Sequence, residues 1–304
     1  MAEQISFPDQ LCDWLISIGF RAVFLEKPGF ALPVIGVFED SRLRMEVIAV
    51  TFESWRKAQH ELLPAELKKR LSATRDDGTR AVVVWEDYWA ARKGIVRSRL
   101  AAMLGISTKI PARLTQVRRI DTATASAFLE GSHLNGSTAS KFRYGLFLPE
   151  RYYRILPHGF AMEKPAGEWM VAVATFSHAR IFGQSDRPFR SHELIRFASL
   201  PGTNVVGALD KLLNAFIREK LPDDIMTYAD LEWSDGRSYR QLGFEKKGEM
   251  MPRKVYVNTA TGERTGKPFG AGDLPENPPK VYLTVCNLGS IKYVKTLKIA
   301  RFNE

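Results

Sequence analysis

The segment that most constrains the fold is the stretch 193–244, where strand and helix patterns alternate. Residues 193–198 and 225–229 are short apolar or β-branched runs, which predict strands. Between them, residues 206–218 carry apolar side chains at helical spacing and predict an amphipathic helix. A short helix is predicted over 236–242. Strands that alternate with helices indicate an α/β fold.

The remainder of the chain follows the same alternation. Predicted strands cover 21–25, 34–38, 45–50, 81–85, 144–148 and 169–176, and predicted helices cover 8–19, 54–72, 88–104 and 124–129. Two last strands, 280–288 and 290–298, predict a hairpin that turns at Gly289. We therefore predict two domains, an α/β unit over 1–108 and a mixed-sheet unit over 109–304 that ends in this hairpin.

Composition excludes several classes of protein. Cys12 and Cys286 are the only cysteines in the 304 residues and lie far apart, so we expect neither a disulfide framework nor a cysteine-rich zinc module. The five histidines show no ligand spacing, and no metal is expected. No apolar run reaches the length of a spanning helix, and the first residues are polar and acidic, so we expect a cytoplasmic protein without a membrane partner.

The net charge favours a polyanionic partner. Lys and Arg number 44 against 34 Asp and Glu, which gives a net charge of +10. Such an excess favours binding to nucleic acid, although a soluble basic protein is the alternative. The residues expected to contact nucleic acid are Arg92, Lys93, Arg97, Arg99, Arg113, Arg118 and Arg119. A solvated helix face is the alternative interpretation of the first four.

A turn rich in small residues joins the strand 193–198 to the helix after it. Glycines at a strand-to-helix turn expose backbone N–H groups at the positive end of the helix dipole, which suits a pyrophosphate. The predicted phosphate contacts are Gly202, Thr203, Asn204, Val206, Gly207 and Ala208. The turn matches neither a Walker A loop nor a dinucleotide-binding fingerprint. An ordinary turn between a strand and a helix is the alternative.

The order of these elements carries a family resemblance. Strand, glycine turn, helix, strand and a short helix with Tyr239 ahead of Leu242-Gly243-Phe244 resembles the acyl-CoA-binding core of the GNAT acyltransferase superfamily. The resemblance implies an N-acyltransferase with a GNAT-like mixed-sheet domain. It also implies acyl-CoA or a related phosphorylated donor at Gly202 to Ala208, and Tyr239 as the acid that protonates the departing thiolate.

Several short motifs are similar to the phage DNA-modification proteins of the Mom type. They are Glu193-Leu194-x-Arg196, Gly207-Ala208, Ser234-Asp235-Gly236 and Tyr239. The loop His133-Leu134-Asn135-Gly136 before this core is similar to a His-Leu-x-Gly loop of other phage proteins. This similarity implies transfer of an acyl-type group to an exocyclic amine of a nucleobase.

Such a transfer needs a base for the amine, donors for a developing oxyanion and an acid for the leaving group. His133, Asp230 and Asp235 are the candidate bases, Arg196 and backbone amides are candidate donors, and Tyr239 is the candidate acid. Glu193 is included because it pairs with Arg196 in the motif. Alternatives remain for each: a surface histidine, a turn or strand-end aspartate, a structural ion pair and a core tyrosine.

The N-terminal region has a different resemblance. A basic helix with Lys68-Lys69-Arg70 before the apolar strand that ends at Trp85-Glu86 is similar to the restriction and very-short-patch-repair endonucleases. Asp40 and Glu46 lie near the place of the metal-binding acids, but Glu46-Val47-Ile48 lacks the lysine that the nuclease chemistry needs. We therefore expect a degenerate restriction-endonuclease-like domain that binds DNA. A metal-dependent endonuclease and a non-catalytic DNA-binding accessory protein are the alternative functions.

Overall fold

The computed structural model describes residues 5–57, 63–157, 160, 164–183, 188–265 and 281–297. The α-helices are α1 Phe7–Ser17, α2 Phe52–Lys57, α3 Leu63–Asp76, α4 Glu86–Leu104, α5 Thr122–Ser132, α6 Ala208–Lys220 and α7 Arg237–Gln241. The strands are β1 Arg21–Phe24, β2 Val34–Glu39, β3 Arg42–Val50, β4 Arg80–Trp85, β5 Thr108–Pro111, β6 Gln116–Arg119, β7 Phe142–Pro149, β8 Glu168–Phe176, β9 Arg180–Phe182, β10 Phe189–Ser199, β11 Thr203–Val206, β12 Asp224–Asp230, β13 Glu245–Met250, β14 Lys254–Asn258, β15 Arg264–Thr265, β16 Tyr282–Cys286 and β17 Ser290–Thr296. In the described part of the chain, no helix is both long and apolar enough to span a membrane.

The chain groups into two compact units, each made of three segments. The first unit contains Met1–Val96, Ala229–Gly236 and Glu249–Ile291, and the second contains the segments between and after them. The predicted assignment of 1–108 and 109–304 to two domains stays a prediction, because the compact units alternate along the chain.

The first unit holds a four-stranded sheet in the order β1-β2-β3-β4. Its first three strands pair antiparallel, and β4 pairs parallel with β3. The run 81–85 is fully buried, as its Val-rich sequence predicts, although β4 is the last strand of this described sheet. The predicted helix 54–72 corresponds to α2 and α3, and residues 58–62 of that prediction lie outside the described residues. The restriction-endonuclease-like assignment of this region stays a prediction.

The second unit is built on a mixed sheet in the order β13-β17-β12-β10-β8-β7-β6. Strands β6, β7, β8 and β10 pair antiparallel, whereas β10 and β12 run parallel. Helix α5 packs against Val173 on one face, and α6 covers the other face, where Phe216 stacks on Phe176 with ring centroids 4.0 Å apart. The mixed α/β fold is confirmed, together with the predicted order of strand, turn, helix, strand and short helix.

The C-terminal strands differ from the predicted hairpin. β16 pairs with β14 in a small sheet, whereas β17 lies between β13 and β12 in the large sheet. Gly289 does make the turn, with φ 82°, but a Cβ there would lie 2.2 Å from the Met250 carbonyl oxygen. The chain therefore passes from one sheet to another at a point where the backbone approaches another segment closely, which local sequence does not encode.

The start of the helix in the second half also differs from the prediction. Val206, predicted to be helical, is the last residue of β11, which pairs parallel with β5. Helix α6 begins only at Ala208, because Gly207 has φ 81° and interrupts the helical path. A β-branched residue before a glycine with positive φ ends a strand more readily than it begins a helix.

Candidate functional site

The central feature of the second unit is the place where β10 and β12 separate. The parallel pairing joins Ser191–Glu193 to Asp224–Met226, and in the described strands it goes no further. β10 continues to Ser199 on β8 alone, with a bulge between Leu194 and Arg196. A pair of parallel strands that part in mid-sheet leaves backbone groups without ladder partners, and such an opening is a place where a ligand can bind.

Thr227 lies across this opening. Its side chain is buried, and its hydroxyl donates a hydrogen bond to the Leu194 carbonyl oxygen at 3.1 Å. Leu194 is the first residue of β10 beyond the paired register. Sequence analysis did not single out Thr227. Its one signal is a hydroxyl side chain within an otherwise apolar stretch of strand.

Tyr239 is attached to the same opening through Thr227. Its hydroxyl hydrogen-bonds to the Thr227 side chain, and its ring packs beside Phe244 and Tyr293. Burial raises the pKa of Tyr239 above its usual value, against smaller opposing effects of Thr227 and the charge of Arg99. The phenol therefore keeps its proton at neutral pH, as a general acid must before it acts.

The turn between β10 and α6 is partly occupied by its own contacts. The amide of Gly202 donates to the Ser98 hydroxyl at 2.9 Å, and the amide of Thr203 donates to the Leu200 carbonyl at 3.1 Å. From Thr203 to Val206 the backbone forms β11 and pairs with β5. Amides at the start of the turn thus already have partners. The phosphate contacts predicted there, which include Asn204, stay a prediction.

The first turn of α6 is different. Gly207 is the N-cap residue and offers no side chain to the helix start. The first amides of a helix, here from Ala208 onward, have no partner within the helix. Lys211 directs its ammonium group to the Ala112 carbonyl at 2.8 Å. The start of α6 is therefore the part of the predicted cradle whose backbone amides suit an anion.

His133 lies in a positively charged environment. It follows α5 as the C-cap, and its Nδ1 accepts a hydrogen bond from the Asn135 amide at 3.1 Å. Burial, with the charges of Arg196 and Arg99, lowers the pKa of His133 to about 3. An Nδ1 that accepts leaves the proton on Nε2, so the neutral imidazole can donate a hydrogen bond there. The geometry favours a donor at this position over the base that the sequence suggested.

Arg196 forms part of a polar row on the sheet face that α5 covers. Its Nε donates to the Gly136 carbonyl at 3.2 Å, next to the His133 loop. Thr175 is the register partner of both Arg196 on β10 and Arg143 on β7. Directly opposed residues of an antiparallel pair lie on the same face. Thr175 and Arg143 are further residues that sequence reasoning missed, because only the strand register brings them beside Arg196.

The other predicted catalytic residues are placed differently. Glu193 lies on β10, where its amide donates to the Ser177 hydroxyl at 2.9 Å. Asp230 and Asp235 belong to the first unit, where both lie near the charge of Arg75. Asp230 also accepts the Glu232 amide at 2.9 Å, a typical turn contact. His133, Arg196 and Tyr239 share the second unit, and the two aspartates do not belong to it.

The predicted nucleic-acid contacts are divided between the two compact units. Arg92 and Lys93 belong to the first unit, and the other five belong to the second. Arg92 has non-helical dihedral angles that kink α4, and Lys93 lies 5.3 Å from the Trp89 ring centre.

Acidic partners are seen for Arg118 and Arg119 among the basic residues of the second unit. Arg118 pairs with Glu168, and Arg119 pairs with Glu219 at 2.7 Å. Arg113 is exposed beside β6. The role of these residues in binding nucleic acid stays a prediction.

The candidate metal-binding acids of the first unit are placed unfavourably for a metal. Glu46 is buried and binds Lys27 at 2.9 Å and Arg70 at 2.8 Å, and the Thr74 hydroxyl also donates to it. Asp40 occupies the turn between β2 and β3 with φ 53°. Within the described residues, no cluster of His, Cys, Asp and Glu could hold a metal ion. Glu46 is therefore a structural carboxylate.

Comparisons with known proteins yield only remote similarity. No protein-family model and no curated protein matches the sequence. A chain of the NatC complex bound to Gag peptide and CoA is similar at 10% identity and a TM-score of 0.33, over 60% of this chain and 98% of that one. A histone acetyltransferase HPA2 and related acetyltransferase from Corynebacterium glutamicum is similar at 12% identity and a TM-score of 0.33, over 62% and 98%. Neither similarity establishes the family of this chain.

The contacts of Glu46 predict a pH-dependent contribution to stability. Burial alone would raise the pKa of Glu46, but hydrogen bonds and charges from Lys27 and Arg70 outweigh it and hold the pKa below the ordinary value near 4.5. A carboxylate with a lowered pKa stabilises the fold above that ordinary value and loses the contribution as the pH falls through the folded-state pKa. Glu46→Gln should lower the free energy of unfolding by about 2 kcal/mol at pH 7.

Urea unfolding of the wild type and of Glu46→Gln, at pH 7 and at pH 4 or below, measures the difference in their free energies of unfolding. This difference should be smaller at the acidic pH. Addition of Mg²⁺ should leave the stability of both proteins unchanged. If Mg²⁺ stabilised the wild type but not Glu46→Gln, Glu46 would be a metal ligand instead.

The environment of His133 predicts a single neutral tautomer. Nitrogen-15 NMR of the imidazole should show a protonated Nε2 and an unprotonated Nδ1 at pH 7, with no titration between pH 5 and pH 8. Arg196→Gln should raise the pKa of His133, because it removes one of the two positive charges, whereas Arg196→Lys should change it less. A wild-type His133 that titrates near pH 6.5 would contradict this assignment.

Proposed function

We propose that this protein transfers an acyl-type group from acyl-CoA or a related phosphorylated donor to an amine on nucleic acid, preferentially an exocyclic amine of a base in DNA. The observation that carries the proposal is the proton-bearing phenol of Tyr239 at the separation of β10 and β12. The chain continues from β10 through β11 to the start of α6, which has no side-chain cap. An acid at the strand separation and an anion-binding helix start, both in the second unit, suit a phosphorylated donor with a thiol leaving group.

The start of α6 is the part of the chain that fits the donor. Its backbone amides, from Ala208 onward, would bind the pyrophosphate, and Gly207 brings no side chain between them and a ligand. Such a donor supplies an activated acyl group, whose transfer releases one proton from the amine nitrogen and leaves a thiolate that takes up one proton. The proton released by the amine passes to solvent, and the proton that the thiolate takes up comes from the Tyr239 hydroxyl.

His133 and Arg196 act as donors in this proposal. A neutral imidazole with Nε2–H can donate to a developing oxyanion without being ionised itself. Arg99 and Arg196 add positive charge, which favours negative charge on a bound group near them. Because the Nδ1 lone pair of His133 is used by Asn135, the proposal assigns His133 no role as the base.

The acceptor class is inferred from charge. A net charge of +10 favours a polyanion, and nucleic acid is the polyanion that carries many weakly nucleophilic amines. The transfer to a nucleobase, the phage-type role and the preference for DNA belong to this proposal. A non-catalytic DNA-binding protein has the same charge signature, and measurement of product separates it from a transferase.

The donor site predicts a charge-specific effect at Val206. The Val206 side chain is 52% exposed and precedes the helix start by two residues. Val206→Asp should weaken CoA binding about fivefold, because it adds a negative charge near the pyrophosphate. Val206→Asn introduces a side chain of nearly the same shape as aspartate but without the charge. This variant should bind CoA like the wild type.

Isothermal titration with CoA measures the dissociation constants of both variants. The difference between the two constants should become smaller as the salt concentration rises. Equal affinities of the Asp and Asn variants would place the donor elsewhere. An absence of any CoA binding would count against this class of donor.

The transfer itself is tested by nucleoside mass spectrometry of DNA incubated with the protein and acetyl-CoA. The wild type should yield a base heavier by one acetyl group. Tyr239→Phe should lower kcat about 100-fold or more, because it removes the acid and keeps the ring packing. Acetylation of a free amine without acetylation of DNA would retain the transferase and overturn the nucleic-acid acceptor. Salt-dependent DNA binding without any acyl transfer would favour the accessory role.

A further inference from the structure

Thr227 occupies a position that the proposed chemistry has not yet used. It lies on β12, is 2% exposed, and is the first residue of that strand beyond its pairing with β10. Its hydroxyl contacts two groups: the Leu194 carbonyl on β10 and the Tyr239 hydroxyl on α7. Three elements of the sheet opening therefore meet at one side-chain oxygen.

A threonine hydroxyl has one proton to donate and can accept hydrogen bonds as well. While Tyr239 keeps its proton, the phenol donates to Thr227 Oγ1, and Thr227 donates to the Leu194 carbonyl at 3.1 Å. This chain of two hydrogen bonds fixes the direction of the phenol. It also satisfies a carbonyl group at the point where the ladder with β12 has ended.

The same hydroxyl can serve the deprotonated state. Once Tyr239 has given its proton to a bound group, the phenolate oxygen can only accept. Thr227 can then rotate its single proton from the Leu194 carbonyl to the phenolate, because rotation about the C–O bond needs no movement of heavy atoms. The new hydrogen bond is charge-assisted and stronger than the one to the carbonyl.

Three other described groups around Tyr239 contact or influence it in different ways. The ring of Tyr293 lies beside it with centroids 5.8 Å apart, and the Tyr293 hydroxyl accepts from Arg240 at 2.9 Å. Arg99 contributes a positive charge near Tyr239, and Phe244 contributes an apolar ring. Arg99 favours the phenolate through its charge, whereas the contact with Thr227 is a directed hydrogen bond.

We propose that Thr227 is a positioning residue that orients the Tyr239 hydroxyl for proton donation and then stabilises the phenolate by turning its own hydroxyl proton toward it. The step balances: one proton leaves Tyr239 for the leaving thiolate, the O–H bond of Thr227 stays intact, and Tyr239 regains one proton from solvent before the next cycle. The catalytic use of this device rests on the proposed function, but the hydrogen-bond switch is a property of the protein alone.

The test distinguishes the effect of the Thr227 hydroxyl from the effect of the shape of the side chain. Thr227→Val keeps the branched shape and removes the hydroxyl, whereas Thr227→Ser keeps the hydroxyl and removes a methyl group. In each background Tyr239 is replaced by 3,5-difluorotyrosine, whose phenol titrates at lower pH, and the fluorine NMR signal is followed against pH. Thermal unfolding confirms that each variant is folded over the range used.

The acid dissociation constant of the fluorinated phenol should be about tenfold smaller in Thr227→Val than in the wild type, since one charge-assisted hydrogen bond is lost. Thr227→Ser should stay close to the wild type. Equal titration of the Val and Ser variants would overturn the switch. If Thr227→Val does not fold, the pH titrations of the fluorinated phenol in Thr227→Ala and Thr227→Ser are compared instead. Equal titration of these two variants would likewise overturn the switch.

A kinetic measurement links the switch to catalysis. Thr227→Val should lower kcat about tenfold with little change in KM for the donor, and Thr227→Ser should restore most of the rate. A rise in KM alone would indicate a merely structural role in the donor site. If the wild type transfers no acyl group at all, the proposed function fails, whereas the fluorine titration still decides whether Thr227 supports the phenolate.

Discussion

The separation of β10 from β12 is the constraint on which the candidate site depends. Three residues of each strand pair in parallel, and then the bulge after Leu194 keeps β10 on β8 while β12 leaves. Backbone groups exposed by such a separation need other partners, and Thr227 supplies one for Leu194. The Tyr239 hydroxyl is hydrogen-bonded to Thr227, and Arg196 lies two residues after Leu194, just beyond the bulge. The positions of the predicted acid and of one predicted donor therefore both depend on the separation of these two strands.

Packing on both faces holds this irregularity in place. The aromatic stack of Phe176 and Phe216 fixes α6 against one face, and the buried cluster of Ala125, Leu129 and Val173 fixes α5 against the other. Helix α6 begins directly after β11, and His133 is the C-cap of α5. Polar groups attached to well-packed elements keep their geometry more closely than groups on isolated loops do. The site is thus positioned by an apolar frame that takes no part in chemistry.

Local patterns in the sequence predicted much of this frame, and non-local pairing accounts for what they missed. The strand, turn, helix, strand and short helix from 193 to 244 follow from hydrophobic spacing and from glycine positions, which are properties of neighbouring residues. The pairing of β11 with β5 depends on Thr108 to Pro111, a segment far away along the chain, and it converts half of a predicted anion cradle into a strand. The passage of the backbone through Gly289 into another sheet is equally invisible to local patterns. For the same reason Tyr239 was identified from its motif, whereas Thr227 and Thr175 emerge only from register.

The charges of the second unit show why residue type alone does not define a chemical role. A histidine in a polar loop suggests a base, yet burial and two arginines keep His133 neutral, and the Asn135 amide occupies the lone pair that a base would need. Arg99, which is also a predicted nucleic-acid contact, lies close enough to influence both His133 and Tyr239. Its positive charge disfavours the imidazolium of His133 and favours the phenolate of Tyr239, so it acts to lower the pKa of both groups. An environment of this kind stabilises negative charge that develops on a bound group, whether on an oxygen or on a sulfur.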